Sequence, residues 1–338
     1  MKIFAIETSC DETSAALIEA EKGDKKVKLL SNAVASSLSL HAKTGGIIPE
    51  IAAREQVKYI IPTILEALKP IGSLENVDAI AVTYGPGLIG SLLVGVETAK
   101  ALSYIYKKPI IPVNHLIGHI YANFIENDDI EFPALALVVS GGHTDLVILK
   151  KHGEIQWIGG TRDDAAGEAF DKIGRILELP YPGGPHIEAR AKEGNLKRFF
   201  FPRPLIDSND FDFSFSGLKT AALREINKLK GQGTLSEKDI NDLCAGVQES
   251  IIDVLIKKTL KAAEKYKVKS ILLSGGVSAN QTLREEFKKE IEDTGIKFFA
   301  PARNLSTDNA AMIASAAFFN YKEEPWDKII ADPELYFD

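Results

Sequence analysis

The chain has 338 residues, of which 45% are hydrophobic and 26% are charged, as in an ordinary globular protein. This composition excludes a disordered chain, a fibre and a disulfide-rich scaffold, and the length predicts about two domains. There are 40 Lys and Arg against 47 Asp and Glu, so the formal net charge is −7 and a broad basic surface for nucleic acid is not expected.

Cysteine use and hydropathy predict a cytoplasmic protein. Cys10 and Cys244 are the two cysteines, far apart in sequence, which suits a reducing compartment. The apolar run at the N-terminus is interrupted by Glu7 and is too short for the apolar core of a signal peptide, so we expect none. No run approaches the ~18 apolar residues of a membrane span, so we expect no membrane association.

The predicted elements begin with a strand over 3–6, a small polar loop over 7–14 and a second strand over 15–18. Apolar spacing then predicts a helix over 49–69, with Pro70 just beyond its end. The remaining predictions are strands over 27–35, 77–83, 109–113, 134–139, 146–149 and 270–273, and a helix over 91–106.

The opening pattern of strand, polar loop, strand and charged turn returns at residue 134. This repeat predicts two similar α/β lobes with a cleft between them, although ordinary α/β strand–loop repetition would give the same pattern. We expect an N-terminal lobe over 1–112 and a C-terminal lobe with the metal and nucleotide site over 113–309. A C-terminal helix over about 310–325 should pack back on the first lobe, and 181–213 should form an irregular insertion.

Three Gly/Ser/Thr loops, at 7–14, 140–145 and 274–278, each follow a strand. Backbone N–H groups in such loops can bind phosphate oxygens, but tight turns use glycine as well. None of the three is a P-loop or a dinucleotide fingerprint, which argues against a dehydrogenase.

His115 and His119 form an HxxxH pattern. At i and i+4 on a helix the two imidazoles share one face and can bind one metal ion. A zincin protease needs Glu where this chain has Leu116, so a peptidase is not supported. The spacing leaves two readings open: a metal site, or a pair of half-buried histidines bonded to backbone.

Several acids are further candidates. Asp11 and Glu12 are adjacent on the first loop and suit a metal, a water or a general base, or else a solvated turn. Asp308 precedes a helix of small residues and could be a ligand or an N-cap. Asp171 could bind ribose hydroxyls or pair with Arg175 on a helix surface.

Basic residues surround three aromatic residues, 199–201, in the irregular segment. Such a mixture can bind RNA by phosphate contact and stacking, or it can cover a small aromatic core. The basic residues are Arg190, Lys192, Lys197, Arg198 and Arg203.

Together these motifs resemble the TsaD family of tRNA threonylcarbamoyl-adenosine biosynthesis, in its bacterial form, formerly named O-sialoglycoprotein endopeptidase. The resemblance covers nearly the whole chain in family order. The matching stretches are 6–14, 45–50, 85–88, 115–119, 139–144, 213–220, 274–280 and 307–310.

The resemblance implies the actin-like ATPase fold of sugar kinases and Hsp70, an α/β fold with two lobes and a nucleotide cleft. It implies transfer of a threonylcarbamoyl group from threonylcarbamoyl-AMP to the exocyclic amine of adenosine 37 in ANN-decoding tRNAs, giving t6A and AMP. The alternatives are a kinase or phosphotransferase of the same fold, and a non-catalytic nucleotide-binding scaffold.

The resemblance also implies site residues. His115, His119 and Asp308 match metal ligands, and Asp11 and Glu12 match an acidic pair that is implicated in activity. The residues that match substrate contacts are Val138, Val139, Ser140, Gly141 and Gly142 on the phosphate side, and Asp171, Gly184 and Asn280 around the adenosine, with Glu188 where the family usually has Asp.

The implied cofactor is one divalent metal ion per subunit, Fe²⁺ or alternatively Zn²⁺, with threonylcarbamoyl-AMP or ATP/ADP in the cleft. The implied partners are tRNA, a TsaB-type paralogue and a TsaE-type ATPase. A TsaC-type enzyme would supply the donor.

Overall fold

The computed structural model describes residues 1–231 and 233–337. Its strands are β1 (Lys2–Glu7), β2 (Glu12–Glu19), β3 (Lys28–Ser36), β4 (Ala79–Gly85), β5 (Ile110–Asn114), β6 (Ala134–Val139), β7 (Thr144–Lys151), β8 (Glu154–Gly160), β9 (Ser270–Ser274) and β10 (Lys297–Phe299). Its α-helices are α1 (Leu38–Thr44), α2 (Pro49–Ala67), α3 (Ile89–Tyr106), α4 (His115–Tyr121), α5 (Ala166–Ile176), α6 (Gly183–Ala191), α7 (Ser216–Lys230), α8 (Glu237–Tyr266), α9 (Gln281–Ile291), α10 (Arg303–Ser306) and α11 (Ala310–Phe319). Among the described residues no helix is long and apolar enough to cross a membrane.

The chain forms two compact units. The first comprises Met1–Ile130, Lys151–Ile155 and Phe299–Asp338, and the second comprises Glu131–Lys150 and Gln156–Phe298. This division differs from the boundary expected at 112/113, because α4 and the segment that carries Asp308 lie in the first unit.

The first unit is built on a five-stranded sheet of order β3-β2-β1-β4-β5. β1 pairs antiparallel with β2 and parallel with β4, β3 is antiparallel to β2, and β5 is parallel to β4. Phe4 and Ile6 of β1 join Ile60 of α2 and Leu92 of α3 in one buried core. α11 also packs on this sheet and on α4. Burial of both faces of β1 explains its nearly continuous apolar sequence.

The second unit repeats this arrangement. Its sheet has the order β10-β9-β6-β7-β8, in which β6 takes the place of β1, antiparallel to β7 and parallel to β9. The equal strand order in both units agrees with two similar α/β lobes.

The segment 181–213 is only partly irregular, because it begins with α6, which packs on α5 and α8. Beyond Ala191 it has no long regular element, and an isolated bridge joins Phe213 to Thr161. Cys10 and Cys244 are both free.

Candidate functional site

The two histidines of the HxxxH pattern lie on α4, immediately after β5. Asn114 ends β5 and caps the helix, since its side-chain oxygen accepts the N–H groups of Leu116 and Ile117 at 2.8 and 3.2 Å. This cap starts the helix at His115 and places His119 one turn later. Their ring centroids are 4.6 Å apart, so the i, i+4 spacing does put both imidazoles on one face.

Asp308 is far from this histidine pair in the sequence but lies beside it in the structure. Its Oδ1 lies 3.6 Å from Nε2 of His115 and 3.2 Å from Nε2 of His119. A ligand atom from each of the three residues falls within 4.8 Å of the others. His119 is buried, and no described group makes an aligned hydrogen bond to either of its ring nitrogens. Two imidazoles and one carboxylate form the facial donor set of non-haem iron and also suit zinc, so these residues fit a divalent metal ion.

Glu7 contacts His115 at Nδ1, whereas Asp308 lies nearer its Nε2. Its Oε2 lies 3.1 Å from Nδ1 of His115 and accepts the hydroxyl of Thr83, while its Oε1 accepts the N–H of Ser9. Burial alone would raise the pKa of Glu7, but the charge and hydrogen bond of His115 outweigh it and lower that pKa. A carboxylate that faces Nδ1 keeps a proton on that nitrogen, so Nε2, on the side of Asp308, would be the ligand atom once a metal ion takes the place of its proton.

The adjacent acids Asp11 and Glu12 lie near the triad. Burial and the charges of Asp308 and Asp11 raise the pKa of Glu12 to about 10, with a hydrogen bond from Ser36 opposing the shift. Burial and the same carboxylates also raise the pKa of the Cys10 thiol. This concentration of negative charge is favourable only beside a cation or with a shared proton.

Gln56 of α2 secures the loop that carries the acid pair. Its side-chain nitrogen donates to the carbonyls of Thr8, Cys10 and Glu12 at 3.2, 2.9 and 3.1 Å. One buried amide therefore sets the path of five consecutive residues.

The predicted phosphate-side residues Val138, Val139, Ser140, Gly141 and Gly142 end β6 and form the turn before β7. Apart from the adjacent residues, no described atom lies within 4 Å of an ideal Cβ at Gly141 or Gly142, so the tip of the turn faces open space.

Neighbouring glycines let other segments approach this turn closely. Gly275, at φ +84°, would place a Cβ 2.5 Å from the carbonyl oxygen of Val139. A Cβ on Gly167 would lie 2.4 Å from that of Ser140. Both positions therefore require glycine.

Asp171, on α5, binds the start of α6. Its Oδ1 accepts the N–H of Gly183 at 2.7 Å, and Gly184 adds a second backbone bond. Burial raises the pKa of Asp171 although these backbone bonds and Arg175 oppose the shift. The carboxylate is therefore held against the helix N-terminus rather than in a purely surface ion pair.

Glu188 and Asn280 meet at the start of α9. Glu188 accepts the N–H of Gln281 at 2.7 Å, and Asn280 caps the helix through Leu283 at 2.9 Å. The Asn280 amide also donates to Gln248 at 3.0 Å. The Glu188 side chain, which is longer than the Asp that the family usually has here, therefore reaches the same helix start as Asn280.

The basic and aromatic segment packs on α8. Phe199 and Phe201 are buried, whereas Phe200 is 77% exposed. Three arginines of the segment pair with acids of α8: Arg190 with Glu237, Arg198 with Asp239 and Asp242, and Arg203 with Glu249 and Asp253. These contacts favour the reading of a lobe surface over an aromatic core.

The predicted site residues thus fall into two groups, one in each unit. The triad and the acid pair belong to the first unit, and the residues predicted to bind substrate belong to the second. Sequence reasoning missed Glu7, Thr83 and Gln56 as supports of the first group. Each of the three is a polar residue inside a strand or on the apolar face of a helix, and this position is the feature of the sequence that could have indicated it.

A family model for TsaD, tRNA N6-adenosine threonylcarbamoyltransferase, matches residues 28–315. The chain belongs to this family. The tRNA N6-adenosine threonylcarbamoyltransferase of Syntrophomonas wolfei is 48% identical over 320 residues, 94% of this chain and 92% of that protein. The corresponding protein of Moorella thermoacetica is 49% identical over 320 residues, with the same coverage. The expected family is therefore confirmed.

The fold is similar to that of a solved structure of low sequence identity. Full-length HypF, in a phosphate- and nucleotide-bound form, superposes with a TM-score of 0.61 at 10% identity. The match covers 94% of this chain and 55% of the HypF chain, so this chain spans about half of that protein. The α/β, actin-like ATPase fold implied by the TsaD resemblance is confirmed.

Proposed function

We propose that this chain transfers the threonylcarbamoyl group from threonylcarbamoyl-AMP to the exocyclic amine of adenosine 37 in ANN-decoding tRNAs, forming t6A and AMP. The observation that carries the proposal is the identity of 48% with a named transferase over 94% of the chain. The cluster of His115, His119 and Asp308 supports an enzyme over a scaffold, because a scaffold needs no such donor set.

We assign the donor's adenylate to the second unit. Val138–Gly142 would take its phosphate side, since the open tip of a glycine turn accepts phosphate oxygens. We assign the adenosine to four residues at the starts of two helices. The Asp171 carboxylate and Gly184 lie at the start of α6, and the Glu188 carboxylate and the Asn280 amide lie at the start of α9.

The metal would be held by His115, His119 and Asp308, with Fe²⁺ as the proposed ion and Zn²⁺ as the alternative. It would supply Lewis-acid stabilisation of negative charge on the donor's oxygens. Glu7 would keep Nε2 of His115 available as a ligand atom.

In the transfer, adenosine N6 attacks the carbamoyl carbon, the N–C bond forms, and the bond from that carbon to the phosphate oxygen breaks. AMP leaves with the electron pair, and N6 loses one proton. We assign Glu12 or Asp11 to accept this proton or to orient the donor or the metal. An adenine amine is a weak nucleophile, so positioning by the protein would supply much of the rate.

We further propose that the chain acts in the cytoplasm with tRNA, a TsaB-type paralogue and a TsaE-type ATPase, and receives its donor from a TsaC-type enzyme. The net charge of −7 supports a shared surface for RNA, because this chain alone has no excess of positive charge.

The test is nucleoside mass spectrometry of unmodified tRNA incubated with this chain, threonylcarbamoyl-AMP and the partner proteins. New t6A should form, should vanish when this chain is omitted, and should be lost in His115→Ala. Lys289→Ala, an exposed change at the far end of α9, should leave it unchanged. No t6A, with intact donor and competent partners, would refute the transferase and favour a kinase or a scaffold.

A further inference from the structure

Residues 332–337, near the end of the chain, form a strap without helix or strand that lies across the end of β4 and the turn that follows it. Asp332 donates its N–H to the carbonyl of Tyr84 at 2.7 Å. The carbonyl of Pro333 accepts the N–H of Gly87 at 3.3 Å. These two bonds fix the start of the strap, which has no part in the function described so far.

The strap also contacts the residue that caps α4. The side-chain nitrogen of Asn114 donates to the carbonyl oxygen of Tyr336 at 2.6 Å. The side-chain oxygen of the same residue caps α4 by accepting the N–H groups of Leu116 and Ile117. Because one end of an amide donates and the other accepts, these partners together hold it in a single orientation. The strap therefore helps to fix the point at which His115 enters the helix.

A second series of contacts joins the strap to the ring of His115. The turn that binds Pro333 continues into Leu88, which donates its N–H to the carbonyl of Ser9 at 2.8 Å. The hydroxyl of Ser9 lies 3.1 Å from Nδ1 of His115. A Cβ on Gly87 would lie 2.5 Å from the carbonyl oxygen of Ser9, so this close approach requires glycine. The strap is thus connected to both the backbone and the ring of His115.

We propose that the strap positions His115 for binding a divalent metal ion, acting through Asn114 and Ser9. This inference rests on the proposed function, which places the ion at His115, His119 and Asp308. Ligand atoms must lie within about 0.2 Å of their proper distances from a metal ion. A small displacement of α4 or of the His115 ring therefore weakens binding, and contacts that hold both in place before the ion arrives strengthen it.

Gly85 offers a way to displace the strap without changing a residue of the strap or a metal ligand. The three atoms nearest to an ideal Cβ at Gly85 all belong to the strap, and the nearest is the carbonyl oxygen of Asp332 at 2.0 Å. The Cβ of Leu335 would lie 2.9 Å away. The backbone of Gly85 is outside the positive-φ region, so alanine needs no unfavourable backbone conformation there. Gly85→Ala should therefore conflict first with the strap.

The test is the affinity of the purified chain for Zn²⁺ alone, measured by competition with a chelator. Gly85→Ala should weaken Zn²⁺ binding about threefold to tenfold, less than the loss of a direct hydrogen-bond partner of a metal ligand, because the strap acts through intervening residues. Asn114→Ser keeps a capping oxygen but loses the amide N–H, and it should weaken Zn²⁺ binding similarly. Lys328→Ala, an exposed change outside the strap, should leave the affinity unchanged.

A chain that ends at Ala331 shows whether the change at Gly85 acts through the strap. It should bind Zn²⁺ as weakly as Gly85→Ala does, and Gly85→Ala should add no further loss in it, because the clashing atoms are absent. Gly194→Ala controls for stability: its Cβ would lie 2.2 Å from the carbonyl oxygen of Asn241 in the second unit, so it should destabilise the chain and leave Zn²⁺ affinity unchanged. An equal loss of Zn²⁺ affinity in Gly194→Ala would show a general structural effect and overturn the proposal. Unchanged affinity in both Gly85→Ala and Asn114→Ser would overturn it too.

These measurements need no tRNA, donor or partner protein. A chain whose Zn²⁺ binding depends on His115 and on the strap, but which makes no t6A, would refute the transferase and leave the role of the strap standing. A chain that makes t6A and loses Zn²⁺ binding in His115→Ala, but binds Zn²⁺ normally in Gly85→Ala and Asn114→Ser, would refute the role of the strap alone. A wild-type chain that binds neither Zn²⁺ nor Fe²⁺ would refute the proposed metal site, and the role of the strap with it.

Discussion

Replacing Glu7 with Gln would test how the metal triad is oriented. Glu7 is fully buried, and its Oε2 lies 3.1 Å from Nδ1 of His115. As a carboxylate it accepts the Nδ1 proton and leaves the Nε2 lone pair for a metal. An amide nitrogen in the same place would donate to Nδ1 and shift the ring proton to Nε2, where it opposes metal binding.

The size of the effect follows from the contacts of Glu7. Loss of the acceptor behind a metal-binding histidine weakens metal affinity by about 10–100-fold, or about 1.4–2.8 kcal/mol. The Glu7 oxygens also accept from Ser9 N–H and the Thr83 hydroxyl, both at 2.5 Å, and an amide cannot satisfy all of these partners. The metal-free Glu7→Gln chain should therefore lose about 1–3 kcal/mol of unfolding free energy.

Chelator competition with Zn²⁺, and with Fe²⁺ under anaerobic conditions, would measure the metal affinity, and urea unfolding of the metal-free chain would measure stability. Glu97→Gln is the matched control, because Glu97 is exposed and pairs only with Lys100 among the contacts described. It should change neither quantity appreciably. Unaltered metal affinity in Glu7→Gln would refute the reasoning that Glu7 orients His115.

Three further substitutions test single contacts. Gln56→Leu removes the amide that holds the acid-bearing loop, so t6A formation should fall about tenfold or more while the chain stays folded; normal activity would contradict this. Gly167→Ala would place a methyl 2.4 Å from the Ser140 carbonyl oxygen and should lower the unfolding free energy by about 1–3 kcal/mol. Gly217→Ala is the control and should not lower it, since apart from neighbouring residues of its own helix no described atom lies within 4 Å of an ideal Cβ there. Equal effects of the two changes in urea unfolding would argue against the clash. Hydrogen bonds, of which that from the Ser236 side chain has the largest effect, lower the pKa of Asp239 to about 2. Asp239→Asn should therefore destabilise the chain at pH 7 and destabilise it less at pH 3. A loss of stability that is the same at both pH values would contradict the pKa shift.

The sign of the Asp239 prediction follows from linkage. A carboxyl whose pKa is lower in the folded chain than its ordinary value of 3.8 adds stability above that value. This contribution is lost as the pH falls from about 4 through about 2, because the folded state then gains the proton too.

The sequence by itself determined most of the local structure. Apolar spacing predicts α2 and α3 to within a few residues of their observed ends, since one face of each must be buried. The repeated strand–loop–strand pattern likewise predicts two units of the same type, and the structure has equal strand order in both. The HxxxH spacing suffices to bring His115 and His119 together, because residues four apart share a helix face.

Only the tertiary structure decided which distant groups join them. Asp308 meets α4 because α11 packs on the first sheet, and Glu7 meets His115 because β1 lies beside β4 and near β5 in that sheet. The arginines near Phe199 could have bound RNA as far as composition shows, but the packing of their segment on α8 gives them acidic partners. Local periodicity depends on the geometry of a single element, whereas these contacts depend on how elements pack and on where each buried polar group finds its partner.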